Sequence, residues 1–292
     1  MNAAMRPGRL RRLGAQCWVT LALLAGSAAG ALATEEVPFI TTPNRVALAM
    51  LEIANVGPSD TLIDLGSGDG RIVILAAGRF GARGLGVEID PDLVRRSRRN
   101  AERAGVAKRV EFREQDLFST DLSGASVITM YLLPDVNLRL RPKLLGLTPG
   151  TRIVSHDWDM GDWLPDRSVT IAVPDKAVGL DKSSRVHLWV VPARVDGLWC
   201  GLGRSRGTSL RIAQHHQRFT AQLGGVPELQ AFEGRIDAAT LVAAQQGGQG
   251  PGEVQWELRG DRLHVIRSLG RYAPLAAIAF GRAGPAGCTR KP

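Results

Sequence analysis

The residues of this chain best suited to chemistry lie between Asp64 and Asp116. In "DLGSGDGR" glycines stand at Gly66, Gly68 and Gly70, with Ser67 among them, where an apolar run gives way to the helical stretch "RIVILAAGRF". Glycines at such a junction let the backbone turn sharply and let a ligand come within contact distance, while the helix start offers free amide N–H groups. The dinucleotide fingerprint asks for a further glycine three positions after the second, and position 71 is arginine. Three acids narrow the choice. Glu88 closes the second apolar run, where a carboxylate accepts both ribose hydroxyl protons. Asp64, two residues before Gly66, suits a cationic group. Asp116, after the third run, suits an adenine amino group, with Leu117 or Phe118 covering the ring. A nucleoside bearing positive charge and no pyrophosphate meets all three demands, and S-adenosylmethionine, with its ammonium and sulfonium, is such a molecule. A tight strand-to-helix turn alone would account for the glycines. It would not place three acids at the ends of successive strands, where open α/β sheets bind ligands.

Those positions require a particular frame. From Val46 to Val191, short β-rich runs alternate with helical stretches, which predicts an α/β fold with a seven-stranded, mostly parallel sheet and helices on both faces. The strands are expected at "TLIDL", "GLGVEI", "VEFRE", "SVITMYLL" and "RIVSH". A closing hairpin of "VTIAV" and "VHLWVV" follows. After Pro192 the period shortens to two, in "SLRIA", "RFTAQL", "VQWELRG" and "RLHVIRS", with Gly260-Asp261 as a hairpin turn. Val254, Trp256 and Leu258 then share one face and Gln255, Glu257 and Arg259 the other. This predicts a small antiparallel β domain, sandwich or barrel, over 195–292, behind an S-adenosylmethionine-binding domain over 34–194. The short low-complexity stretch "AAQQGGQGPGE" reads as a loop inside the β domain.

Over roughly residues 37 to 192 the sequence resembles the class I methyltransferases. "DLGSGDGRIVI", with the upstream "VPFITTP" and the downstream "RIVSHDWDMGDW", is similar to the lysine methyltransferases whose mitochondrial members modify ATP synthase subunit c and the adenine nucleotide translocase. The resemblance implies cofactor contacts at Asp64, Gly66, Gly68, Glu88 and Asp116. It also implies a role in activity for the segment before the core, here Pro38, Phe39, Thr41, Thr42 and Pro43. The stretch after Pro192 has no counterpart in that pattern.

Methyl transfer from a sulfonium is an in-line displacement, so the protein mainly aligns the nucleophile and excludes water. A lysine amine must be neutral to react, and burial beside a cation lowers its pKa toward that state. Residues after the fourth strand face the methyl group in this architecture. Tyr131 is the candidate for holding an amine, with Pro134 as lining, and the plainer reading of Tyr131 is a half-buried aromatic at a strand end. Asp157, after the fifth strand, is the candidate for orienting the substrate, against a polar residue capping the sheet. His156 reads as a hydrogen-bonded structural histidine.

Length and composition fit a folded protein of two domains. Arg6, Arg9, Arg11 and Arg12 precede an apolar stretch from Trp18 to Ala33 with an Ala-x-Ala ending, the pattern of a signal peptide over 1–33 with cleavage near Ala33, or of an anchor. These arginines account for four of the formal +9 charges, so the remainder is mildly basic. An exported or inner-membrane-anchored protein is expected, with its bulk outside the cytoplasm. Cys200 and Cys288 then either form a disulfide or stand as two small apolar residues. The arginine-rich "PDLVRRSRRNAERAG" reads as a solvated face without interleaved aromatics, so nucleic acid is not an expected partner. His215-His216 and the distant His264 show no familiar ligand spacing, and no metal is expected. Three functions follow: methylation of a protein lysine, methylation of a small or lipid-linked molecule, or binding without turnover.

Overall fold

The computed structural model describes residues 40–176, 181–225, 230–245, 252–270 and 272–288. The proposed leader at 1–33, Pro38 and Phe39 lie outside the described residues. Four helices, α1 (Asn44–Ile53), α2 (Arg71–Phe80), α3 (Pro91–Arg103) and α4 (Pro134–Leu144), accompany seven strands. These are β1 (Thr61–Leu65), β2 (Arg83–Glu88), β3 (Val110–Glu114), β4 (Val127–Met130), β5 (Arg152–His156), β6 (Arg167–Ala172) and β7 (Ser183–Val190). They form one sheet in the order β3-β2-β1-β4-β5-β7-β6. The first five are parallel, and β7 runs antiparallel to both β5 and β6. The expected closing hairpin is therefore inserted with its second strand innermost.

The sheet buries both faces. Leu62, Val127, Val154 and Val186 point into a core with Val46, Met50 and Leu51 of α1, Val73 and Ala76 of α2 and Val94 of α3. Their chain neighbours Ile63, Ile128 and Ile153, and Trp189 of β7, point the other way, against Val136, Leu140 and Leu144 of α4. Successive strand residues alternate between faces, so a strand covered on both sides must be apolar throughout. This explains why "TLIDL" lacks polar alternation, and it makes the single acid within it, Asp64, conspicuous.

Beyond the sheet lie β8 (Gly197–Gly201), β9 (Ser209–His215), β10 (Arg218–Gly224), β11 (Gln230–Asp237), β12 (Thr240–Gln245), β13 (Gly252–Arg259), β14 (Arg262–Gly270) and β15 (Ala279–Arg282). They close on themselves as an eight-stranded antiparallel barrel, a more complete structure than the small β domain the alternation suggested. Val254 and Trp256 are buried in it as their spacing predicted. Trp256 meets the rings of Phe219 and Phe232 edge-on, with centroids 6.4 and 5.4 Å away. Closure needs glycine at 234, where a Cβ would lie 2.2 Å from the Val242 carbonyl oxygen. Cys200 and Cys288 are joined in a disulfide.

Sheet and barrel belong to one compact unit, residues 37–292. Ala193 N–H donates to the Ala238 carbonyl at 2.7 Å, Gln217 Nε2 donates to the Leu164 carbonyl at 2.5 Å, and Arg235 pairs with Asp166. The segment between β5 and β6 is thus held by barrel hairpins.

Candidate active site

The glycine loop is built by backbone hydrogen bonds at the end of the sheet. Leaving β1, the N–H groups of Gly66 and Ser67 both donate to the Val87 carbonyl, at 3.0 and 2.9 Å, which folds the loop over the end of β2. Gly68 N–H then donates to Glu88 Oε2 at 2.9 Å. Gly66, Gly68 and Gly70 have φ of 73°, 54° and 80°, the left-handed region in which a side chain is strained. At Gly66 a Cβ would also lie 3.0 Å from Leu132. Gly70 has a different reason for being glycine: a Cβ there would sit 2.7 Å from the Phe112 ring and 2.8 Å from Ser97. Packing of α2 against β3 and α3 accounts for Gly70, so its expected contact with a ligand is not needed to explain it.

Asp64, the buried acid of β1, accepts a 2.7 Å hydrogen bond from Thr129 Oγ1 across the sheet. Burial pushes its carboxyl up to about 7; the Thr129 bond opposes the shift, and the negative charges of Glu88 and Asp69 add to it. Glu88 already accepts from Gly68 N–H through Oε2 and from Ile89 and Asp90 N–H through Oε1. One oxygen therefore retains capacity for a further donor. Neither acid has a cationic partner among the described residues. Ser67 Oγ is buried beside them without any hydrogen-bond partner. An orphaned hydroxyl, an acceptor with spare capacity and an unneutralised buried acid form a donor and acceptor set that fits a cationic nucleoside. Asp116 is close by, because Gln115 N–H donates to the Glu88 carbonyl at 2.9 Å. One Asp116 oxygen accepts from Phe118 N–H, and the other has no partner among the described residues. Leu117, between them, is half-buried.

Sequence reasoning missed Asp69 and Arg71. Arg71 grips both Asp69 oxygens, at 2.9 and 2.7 Å, and donates through Nη1 to the Thr42 carbonyl at 2.9 Å. Burial disfavours the charged Asp69, yet its bonds and attraction to Arg71 outweigh this and hold the carboxyl below its ordinary range. The residue that breaks the dinucleotide pattern thus straps the upstream segment to the glycine loop. The tripeptide Asp69-Gly70-Arg71 was the available signal.

The same segment reaches the end of β5. Thr42 is buried, with Oγ1 3.1 Å from His156 Nδ1, while His156 Nε2 lies 2.9 Å from Ser184 Oγ. Thr41 is exposed, and the Pro43 carbonyl accepts from Val46 and Ala47 N–H at the start of α1. The Tyr131 ring lies 3.9 Å from the His156 ring. Burial drives the His156 pKa down to about 4, with Lys176 adding to the shift and Asp157 opposing it. With both nitrogens committed, His156 is a neutral structural group, as its sequence setting suggested. Asp157 departs from expectation. Its Oδ1 accepts from Arg185 N–H and its Oδ2 from Lys176 Nζ, both at 2.8 Å, and its φ is 61°. Its carboxylate is engaged in holding β7 and Lys176, a structural task the sequence did not suggest. Lys176 gave no signal in the sequence. The half-buried Tyr131 has its phenol pushed up, first by burial and then by the Asp157 charge, so it stays protonated.

Comparison with known proteins agrees with this geometry. Residues 64–167 match the family model described as ANTKMT methyltransferase domain. The chain is 43% identical over 137 residues to a protein-lysine N-methyltransferase of Saccharolobus islandicus, covering 46% of this chain and 85% of that protein. It is 36% identical over 132 residues to the adenine nucleotide translocase lysine N-methyltransferase of Mus musculus, covering 44% of this chain and 57% of the mouse protein. Among solved structures, an RNA methyltransferase from Salinibacter ruber in complex with S-adenosyl-L-homocysteine is 54% identical, covers 53% of this chain and 96% of that chain, and gives a TM-score of 0.48. The chain belongs to the ANTKMT family of class I S-adenosylmethionine-dependent methyltransferases, and S-adenosylmethionine is its methyl donor.

Proposed function

We propose that this methyltransferase modifies the side-chain amine of a protein lysine. The observation that carries the reading is that His156, whose ring packs on Tyr131, and its neighbour Asp157 are already engaged within the protein. His156 has both ring nitrogens bonded, and Asp157 has both oxygens bonded. A hydroxyl or carbon nucleophile needs a base in the transition state, whereas a neutral amine attacks through its own lone pair and loses its extra proton afterwards. The names of the archaeal and mouse relatives support the same acceptor. So do the exposed apolar side chains of Trp158 and Leu164 after β5, and of Leu138 on α4, which a docked protein would cover.

When bound, S-adenosylmethionine supplies an electrophilic methyl on a sulfonium that leaves as a neutral thioether. Glu88 and Ser67 then hold the ribose side of the ligand, Asp64 compensates its positive charge, and Asp116 with Leu117 meets the base. The strap from Thr42 to Arg71 shields the loop from water. Tyr131 orients the incoming amine.

The cellular setting is part of the proposal: residues 1–33 direct export or anchoring at the inner membrane, and the methyltransferase and β domains act outside the cytoplasm. The Cys200–Cys288 bridge supports an oxidising compartment. No described helix is long and apolar enough to cross a membrane.

The decisive assay incubates the purified chain with tritium-labelled cofactor and cell-envelope fractions. Label recovered in methylated lysine after acid hydrolysis of protein supports the proposal. Label in the lipid fraction, or cofactor binding without transfer, sinks it. Two variants test the site. Glu88→Ala removes the acceptor for ligand and loop, and calorimetry should show the cofactor Kd weakened at least ~10-fold, equivalent to ~1.5 kcal/mol of charged hydrogen bonding. Tyr131→Phe should lower kcat about tenfold with the cofactor Kd within about twofold, as expected when one hydrogen bond to the acceptor is lost. An unchanged kcat would remove Tyr131 from the reaction.

A further inference from the structure

We propose that Asp162, His215 and His216 form a binding site for a divalent transition-metal ion, Zn2+ by preference, at the seam between the sheet and the barrel. Asp162 belongs to the segment joining β5 to β6, while His215 ends β9 and His216 begins the turn into β10. The three sit together because that turn is fastened to the segment. Gln217 donates to the Leu164 carbonyl, and the His216 ring stacks on Trp163 with centroids 6.0 Å apart and planes 29° apart. The sequence could not show the cluster, since the histidines are adjacent and the acid lies far upstream.

The distances fit coordination better than hydrogen bonding. Asp162 Oδ2 lies 3.3 Å from His215 Nε2 and 3.5 Å from His216 Nε2. Hydrogen bonds between such atoms close to about 2.7–3.2 Å. Two ligand atoms each about 2.0–2.1 Å from a tetrahedral zinc are about 3.3–3.4 Å apart. All three donor atoms lie within 4.8 Å of one another. His216 Nε2 is buried and has no hydrogen-bond partner, a cost that a bound ion would relieve.

The surroundings are those of a ligand set held in place. Arg141 pairs with Asp162 Oδ1 and donates to the Met160 carbonyl at 2.8 Å, which fixes the carboxylate and leaves Oδ2 facing the two imidazoles. Such outer contacts orient metal ligands in known sites. His216 adopts φ of 53°, an uncommon value for a non-glycine residue, and the turn so formed directs its ring back onto Trp163. Side chains of His215 and Asp162 are 70% and 59% exposed, which gives an ion a path in and leaves a fourth position for water. Two imidazoles with one carboxylate select zinc and its transition-metal neighbours over magnesium or calcium. The bound ion would clamp the segment carrying Trp158 and Leu164 to the barrel.

The test uses the tag-free, oxidised chain after treatment with chelator, titrated with Zn2+ by calorimetry and with Co2+ by visible absorption. The expected result is one ion per chain, tetrahedral Co2+ bands, and a Zn2+-dependent rise in melting temperature. His215→Ala and Asp162→Asn, each at an exposed position, should weaken binding at least ~100-fold, more than loss of an outer-shell contact costs, while His264→Ala leaves it unchanged. Circular dichroism of the variants confirms that they are folded. No stoichiometric binding in the parent chain, or parent-like affinity in both variants, overturns the proposal.

Discussion

Asp64→Asn is expected to make the ligand-free protein more stable at pH 8 and to abolish cofactor binding at the same time. A carboxyl whose pKa is raised by folding to about 7, from 3.8, is harder to ionise in the native state than in the unfolded chain. By linkage, its cost is absent below the unfolded value, grows as pH rises from 3.8 toward 7, and is fully present above 7. The difference corresponds to something on the order of 3 to 5 kcal/mol at pH 8. Asparagine keeps an oxygen to accept from Thr129 and carries no charge, so thermal unfolding at pH 8 should shift up by several degrees, at ~2–4 °C per kcal/mol. At pH 4 the shift should nearly vanish. The same charge is what a sulfonium and an ammonium need nearby. In the parent protein the cofactor Kd should therefore be flat above pH 7 and weaken up to ~10-fold per unit below it, as one proton must leave for each ligand bound. A stabilised variant that still binds tightly would show that Asp64 does not compensate the ligand's charge.

This acid also shows what the sequence could and could not convey. Its position was legible because a strand buried on both faces has no other reason to contain Asp, and the strand order followed from alternating runs and helices. Glu88, the last residue of β2, and Asp116, two residues beyond β3, were legible from their places at the ends of successive strands. Helix α2 was visible end to end, bounded by Gly70 and Gly81. What was hidden depends on the folded arrangement. Arg71 reads as a mismatch to one motif, and only the fold shows it holding Asp69 and the Thr42 carbonyl together. Asp157 looked available from its place just after the fifth strand; it accepts from Lys176, nineteen residues on and beyond β6, a pairing only the fold shows. The barrel was partly legible. Its alternation gave strands and the inward face of β13, but closure depends on which edges meet, and the short β15 carries too few residues to announce itself.

That short strand underlies the other large effect expected. Strand β15 joins β14 to β8 through three residue pairs on each side, so it completes the ring with little hydrogen bonding of its own. Two contacts reinforce it. Arg282 donates to the carbonyls of Asp196 and Arg194, both at 2.8 Å, and its guanidinium lies 4.4 Å from the Trp199 ring centre. The disulfide ties Cys288, just beyond β15, to Cys200, which pairs with Gly281 across the seam. A crosslink spanning 88 residues removes much of the freedom of the unfolded chain, about 4 to 5 kcal/mol by loop entropy. Reduction, or replacement of both cysteines by serine, should lower the melting temperature by roughly 10 °C, at ~2–4 °C per kcal/mol. Cofactor affinity at 25 °C should stay within about twofold, because Asp64 and Glu88 are on sheet strands and Ser67 is in the loop between β1 and α2, none of them in the barrel. The same measurement bears on where the protein works. Chain made in a reducing cytosol should carry Cys200 and Cys288 as free thiols and melt at the lower temperature, and chain recovered from an oxidising compartment at the higher one. Equal melting temperatures with and without reductant would mean that the core and the eight-strand hydrogen bonding close the barrel unaided, and the bridge would then lend no support to an extracytoplasmic setting.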